Sequence, residues 1–302
     1  MIQAIIDIGS NTVRMAIYNI DGDNLEFIHK KKHLLGLASY LDDNVMNQAG
    51  IDRLCDILTE FKQFLKTFSI DNVVAFATAA LRNCRNSQAA LAEIQGRTGI
   101  AIRILSGEKE AEYAFAGATR RIDIQAGLMV DIGGGSTEMV YYRDRAIGAK
   151  ISLPLGSLGL KKEFCPEVIP NKAEVEQMRK RAGEIMASAK DFPAVDSPMI
   201  CGIGGTFKGT LALYNALYGK NKYNTEIDAR RIGDLIGRFA VDGSLEQADA
   251  LILMKNIPDR IHTIISGMVI ADVIGQRFGV ERIIYSDSGV REGFIYSELI
   301  NN

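Results

Sequence analysis

The chain reads as an α/β protein of two related lobes, and three observations predict this. An acid-tipped apolar run followed by a glycine turn occurs twice, each copy opens a three-strand meander, and each meander leads into helices alternating with short strands. In the first copy Asp7-Ile8-Gly9-Ser10-Asn11-Thr12 follows Ile2, Ala4, Ile5 and Ile6. In the second, Asp131-Ile132-Gly133-Gly134-Gly135-Ser136-Thr137 follows Leu128, Met129 and Val130. At the common offset of 124 residues (131 − 7) the pairs Asp7/Asp131, Ile8/Ile132, Gly9/Gly133, Met15/Met139 and Tyr18/Tyr142 are identical.

Taken in order, Ile2–Asp7, Val13–Ile20 and Leu25–Lys31 read as strands, the last two joined by the turn residues Asp21-Gly22-Asp23. Apolar residues at Ile51, Leu54, Cys55, Leu58, Phe61, Leu65 and Phe68, spaced by threes and fours, predict a long amphipathic helix. Val73–Thr78 is a short buried strand, Ala89–Gln95 a helix, Ile100–Leu105 a strand and Glu108–Arg121 a helix. The meander then restarts as Leu128–Ile132, Thr137–Tyr142 and Ile147–Leu153. Helices follow at Lys172–Lys190, Thr206–Leu217, a pair within Glu226–Leu253, Ile261–Phe278 and Val290–Leu299, interrupted by strands at Met199–Ile203 and Arg282–Tyr285. The expected boundary lies near Asp123–Gly127, giving domains 1–124 and 125–302, with the last helix able to pack back on the first.

The 302 residues suffice for two cores. An apolar content of 47%, a charged content of 24% and a net charge of −2 are those of an ordinary globule, with no global pull toward DNA, RNA or an anionic membrane. Any polyanion must therefore be held by a local cluster. The four cysteines form no CxxC pair, which fits a reduced compartment, and Asp7 interrupts the first apolar run too early for a signal peptide. The stretch Ile261–Ile274 is too short for a membrane span and contains His262 and Asp272. A cytoplasmic protein is expected.

Small residues with bare N–H groups after a strand-end carboxylate are how a backbone cradles phosphate oxygens, often around a metal. One such turn is ordinarily just a turn; two at equivalent places point to a phosphorylated ligand between two lobes. A third loop, Cys201-Gly202-Ile203-Gly204-Gly205-Thr206, lies between strand and helix, but Phe207 falls where a dinucleotide fingerprint needs its third glycine. It reads either as a packing turn or as an anion-holding helix start. A fourth, Ser286–Gly293, has the same placement. Glu110 projects to a different helix face from Glu108 and Glu112, and reads as a functional acid or simply as a first-turn charge favoured by the helix dipole. Arg82, directly after a buried strand, reads as a phosphate fork or a surface ion pair. There is no GxxxxGK[ST] loop, no cysteine followed six residues on by arginine, and no HExxH or other metal spacing at His29, His33 or His262. Activated water is favoured over a nucleophilic side chain. Arg179-Lys180-Arg181, Arg230-Arg231 and Lys220/Lys222 read as solvated faces before polyanion guides.

In this order the stretches DIGSNTVR (Asp7–Arg14), ATAALR (Ala77–Arg82), SGEKEA (Ser106–Ala111), VDIGGGSTE (Val130–Glu138), GIGGTFK (Gly202–Lys208) and SDSGVREG (Ser286–Gly293) resemble the exopolyphosphatase / guanosine pentaphosphate phosphatase (Ppx/GppA) family. The resemblance implies two ribonuclease-H-like domains of the actin, sugar-kinase and Hsp70 superfamily, with an interdomain active-site cleft. It implies that Glu110 is the base orienting water and that Arg82 grips the reacting phosphate. It places Asp131 and Glu138 near Mg²⁺ (or Mn²⁺), and Asp7 is a further metal candidate. A monovalent cation is an additional candidate. Phosphate contacts are expected from Ser10, Asn11, Thr12, Arg14, Gly133, Gly134, Gly135, Ser136, Thr137, Gly204, Gly205 and Thr206. Two departures stand out: Lys109 replaces an acid, and Gly205 a small polar residue. The implied activity is release of orthophosphate from polyphosphate. The alternatives are pppGpp 5′-phosphohydrolysis and a non-catalytic, nucleotide-binding actin-like regulator, and a homodimer of the short two-domain form is expected.

Overall fold

The computed structural model describes residues 1–120, 122, 125–195 and 197–300. The chain divides into two compact units, Met1–Lys109 with the chain end from Glu298, and Glu110–Ser297. The expected boundary at 124 lies among residues outside the described set; the division by contacts falls earlier, at Lys109/Glu110. The physical reason is the helix Gly107–Thr119, whose Ala111, Ala114, Phe115 and Ala118 pack on the second sheet.

The first lobe is built from β1 (Ile2–Ile8), β2 (Thr12–Asp21) and β3 (Asn24–Leu34), a two-rung ladder of β4 (Leu41–Asp42) with β5 (Val45–Met46), then α1 (Gln48–Thr67), β6 (Val73–Ala77), α2 (Ala79–Arg82), α3 (Ser87–Thr98) and β7 (Ile102–Ile104). Its five-stranded sheet has the order β3-β2-β1-β6-β7, antiparallel through the meander and parallel from β1 to β7. Alternation along β1 sends Ala4, Ile6 and Ile8 to the face covered by α1, whose Leu54, Leu58 and Phe61 complete that core. Asn47 caps α1 by accepting from Gly50 N at 3.0 Å. β7 is shorter than expected because only Ile102–Ile104 find partners on β6.

The second lobe begins with α4 (Gly107–Thr119), most of which it contains, then β8 (Ala126–Ile132), β9 (Thr137–Arg143), β10 (Ala146–Leu153), α5 (Ser157–Phe164) and α6 (Lys172–Ser188). It continues with β11 (Met199–Ile203), α7 (Gly204–Leu217), β12 (Glu226–Asp228), α8 (Ile232–Phe239), α9 (Gln247–Asn256), α10 (Ile264–Arg277), β13 (Arg282–Tyr285) and α11 (Val290–Ile295). Its six-stranded sheet, β10-β9-β8-β11-β13-β12, repeats the first order and adds one antiparallel edge strand. This shared order, three antiparallel strands continued by parallel ones, is the ribonuclease-H-like topology. One sheet face carries Leu128, Val130 and Ile132 into a core with α5, α6, α7 and α10; the other carries Met129, Val140, Tyr142, Cys201 and Ile203 against α4.

Besides the shortened β7 and the unanticipated β4, β5 and α2, three more elements differ from expectation. β12 falls where only helices were anticipated, because three residues are too few to show a period of two. α5 was missed; its first amides are held by the preceding glycine loop rather than by a capping side chain. The last helix stops at Ile295 and continues as a π turn through Tyr296–Ile300. All four cysteines are free and buried. No helix among the described residues is long and apolar enough to cross a membrane.

Candidate functional site

In the first lobe, the turn between β1 and β2 closes with Gly9 N donating to Thr12 O at 3.0 Å. The carbonyls of Ser10 and Asn11 accept from Ala38 (3.2 Å) and from Leu35 and Gly36 (3.1 and 2.9 Å), which turns them toward the following segment. Among the described residues the amides of Ser10 and Asn11 donate to no backbone carbonyl. Asn11 Nδ2 is buried and has no partner there, an orphaned donor of the kind an anion would satisfy. Thr12 and Arg14 follow on β2, and Arg14 lies directly across the ladder from Asp7. Arg82 ends the four-residue α2 immediately after β6, and its Nη1 donates to Leu105 O at 3.1 Å.

The second lobe repeats the turn. Gly133 N donates to Ser136 O at 2.9 Å, and the Gly133 and Gly134 carbonyls accept from Ser157 and Leu158, each at 2.9 Å. The amides of Gly134 and Gly135 donate to no backbone carbonyl among the described residues. Thr137 Oγ1 donates to Leu155 O at 2.5 Å, fixing the loop's exit. Asp131 lies directly across from Glu138, so the two carboxylates share a sheet face about 5 Å apart at Cβ. Glu138 is 1% exposed and accepts from Ser152 Oγ at 2.7 Å.

By alternation that shared face is the one occupied by Met129, Val140 and Tyr142, the face α4 covers. Along α4, Phe115 packs on Tyr142 with centroids 5.1 Å apart, and Glu112 pairs with Lys150, which lies opposite Val140. The first turn of α4 is thereby directed toward the Glu138 end of the strand. Glu110 is in that turn and is 7% exposed, while Glu108 and Lys109 face solvent. The Lys109 departure thus does not put a cation into the interior beside Glu110; its Nζ lies 3.9 Å from Glu298.

The third loop is the start of α7. Gly204 has φ +79°, and a side chain there would overlap Asp131 Oδ1, so glycine is required both by conformation and by the carboxylate. Thr206 Oγ1 donates to Ile132 O at 3.0 Å, tying the third loop to the second. At Gly205 a side chain would overlap the guanidinium of Arg260, which rests on the first turn of α7. Sequence reading missed Arg260; no local pattern marks it, since a distant turn brings it there. The fourth loop supports α4: Ser288 Oγ donates to Gly117 O at 2.8 Å, and side chains at Gly117 or Gly293 would overlap the opposing backbone.

Among the described residues no group of three or more His, Cys, Asp or Glu side chains gathers as a metal cage. Mg²⁺ does not need one, because it retains waters and uses one or two carboxylates plus substrate phosphates. Asp131 and Glu138 fit that donor set; Asp7, with a cation opposite, fits it less well. Arg181 pairs with Glu163, Arg230 with Asp228 and Arg231 with Asp234 at exposed positions, as the solvated-face reading expects, whereas Arg179 is partly buried and pairs with Asp272 of α10. His262 lies half-buried in a turn before α10 rather than within an apolar helix.

Fold and loops together define a two-lobed, ribonuclease-H-like α/β protein with glycine turns at its strand ends. Residues 16–302 match the Ppx/GppA phosphatase family, and the chain belongs to that family. It is 27% identical over 304 residues to exopolyphosphatase 1 of Mycobacterium tuberculosis, covering 98% of this chain and 87% of that one. It is 28% identical over 302 residues to a guanosine-5′-triphosphate,3′-diphosphate pyrophosphatase of Aeromonas hydrophila, covering 99% of this chain and 60% of that protein. A crystal structure of the Aquifex aeolicus member of the Ppx/GppA family superposes with a TM-score of 0.78 at 25% identity, over 100% of this chain and 98% of that one.

Proposed function

We propose that this chain is an exopolyphosphatase, hydrolysing the terminal phosphoanhydride of inorganic polyphosphate to orthophosphate and a chain one unit shorter. The observation that carries this reading is the grouping in one lobe of the buried Glu110 with the Asp131/Glu138 pair on one sheet face, next to two glycine loops. Glu110 accepts a proton from water as the water oxygen bonds to the terminal phosphorus. The bond from that phosphorus to the bridging oxygen breaks, and the shortened chain leaves with the electron pair. Loop amides of Gly134 and Gly135 hold phosphoryl oxygens, with Arg260 stabilising the charge that spreads over them; Ser10, Asn11 and Arg82 are the phosphate contacts proposed for the first lobe. Asp131 and Glu138 would hold Mg²⁺ or Mn²⁺, which when bound neutralises phosphoryl oxygens as a Lewis acid.

The named relatives include both an exopolyphosphatase and a guanosine pentaphosphate enzyme. Polyphosphate is favoured because binding by amides and cations needs no base-recognising pocket. Phosphate release from polyphosphate, pppGpp and ATP in one buffer tests this. The expected kcat/KM for medium or long polyphosphate exceeds that for pppGpp at least ~10-fold, about 1.4 kcal/mol of transition-state preference. Equal values, or a preference for pppGpp, reassign the substrate.

A further inference from the structure

Arg260 does not reach α7 alone. Its Cδ lies 3.8 Å from the position a Gly209 Cβ would take, and its guanidinium covers Gly205, so the side chain runs along α7 over two glycines one turn apart. On the other flank, α5 starts on the carbonyls of Gly133 and Gly134, and the partly buried Lys161 stands one turn further along it. Ser266 of α10 bonds to Ser157 O at 2.6 Å, which fastens α10 to the start of α5. His262 occupies the turn between Arg260 and α10.

Burial, then Lys161, then Arg260 hold the His262 imidazole below its ordinary value of 6.5. The charges acting on it, one from α5 and one from its own turn, are both positive. Near neutral pH it is therefore an uncharged imidazole beside two cations. An anion arriving there removes the repulsion and restores the imidazole's affinity for a proton.

We propose that Lys161 and His262 extend the anion-binding surface begun by Arg260, taking the phosphates of a polyphosphate chain that trail the reacting one, with His262 gaining a proton as the chain binds. This rests on the function proposed above, and it sets how tightly a long chain is held rather than how fast it is cut.

The test is calorimetric titration of medium-chain polyphosphate into the full chain at pH 7 with the divalent ion chelated, in two buffers of different ionisation enthalpy. The wild-type protein is expected to take up protons, and His262→Gln to take up measurably fewer. Lys161→Gln should weaken binding ~3–10-fold, with Lys161→Arg restoring it. In turnover, both glutamine variants should raise KM for long chains and leave kcat within about 2-fold. Normal turnover with unchanged proton uptake in His262→Gln, or unchanged affinity in Lys161→Gln, overturns this subsite alone. Proton-linked polyphosphate binding without any hydrolysis supports the subsite and overturns the proposed activity instead.

Discussion

At the tip of the first sheet Asp7 lies across the ladder from Arg14; at the same place in the second sheet Asp131 lies across from Glu138. Both pairs close the same glycine turn, with Gly9 donating to Thr12 and Gly133 to Ser136. An aspartate facing an arginine is internally neutralised. Two carboxylates facing each other repel unless a cation or a proton intervenes. The repeat thus kept its backbone and diverged in charge: an acid faces a base at the tip of the first sheet, and an acid faces an acid at the tip of the second. A duplicated frame can carry different chemistry at the same turn.

The sharpest way to break this comparison is Glu110→Gln. The amide keeps the shape of the buried side chain and cannot accept a proton, so turnover should fall by ~10² or more while polyphosphate binding is retained. Near-normal phosphate release by a folded Glu110→Gln protein would remove the acid chemistry from the second lobe. Next in size is the metal dependence. Asp131→Asn or Glu138→Gln should raise the Mg²⁺ concentration for half-maximal rate ~10-fold or abolish activity, whereas Asp7→Asn should shift it less than about 2-fold. An equal shift for all three would mean that the first lobe also holds the ion.

Much of this was legible because it is local. The meanders announced themselves through the 124-residue offset, and α1 through Ile51, Leu54, Leu58 and Phe61, all of which are buried. Glu110 was separable from Glu108 and Glu112 by helix geometry alone. What escaped depends on distant segments. Arg260 sits 55 positions after Gly205 (260 − 205) and shows only as the reason that Gly205 has no side chain. The pairing Asp131/Glu138 against Asp7/Arg14 was present in the same offset (138 − 14), but its meaning needed the strand register. The early division at Lys109/Glu110 reflects which sheet α4 covers, and composition does not record that.

A third test separates the two loops by how they are supported. In the second lobe a side chain at Gly156 would overlap the backbone of Gly134 and Gly135, which cannot yield as a flexible side chain could. In the first lobe Gly36, which bonds to the Asn11 carbonyl, has only Ser39 Oγ nearby at 3.8 Å, so its constraint is a φ of +61°. Gly156→Ala should destabilise the fold by about 1–3 kcal/mol through overpacking and displace the loop, lowering both melting temperature and activity. Gly36→Ala should cost about 1 kcal/mol through backbone strain, with activity largely kept. Thermal melts and rates on both proteins check it, and equal losses of activity would contradict the difference in support.

The smallest effect concerns acid stability, and it too differs between lobes. In the first, Arg97 and Gln48 hold the Asp52 carboxyl below its ordinary 3.8, and Lys31 holds Glu60 below 4.5. A depressed carboxylate contributes stability above its unfolded pKa and loses it as pH falls through the folded one, so these two groups act only in strong acid, as does Asp228 of the second lobe, which Arg230 holds below 3.8. In the second, His262 is depressed below 6.5, so the unfolded chain binds more protons there than the folded one. Stability then rises with pH through that window, is complete above about 6.5 and is lost as pH falls beneath it. His262→Gln should therefore narrow the gap in melting temperature between pH 7.5 and pH 5.5, without changing the response below pH 4. A gap that stays as wide in His262→Gln as in the wild-type protein would show that the imidazole does not charge on unfolding in that range, and that the second lobe's acid response arises elsewhere.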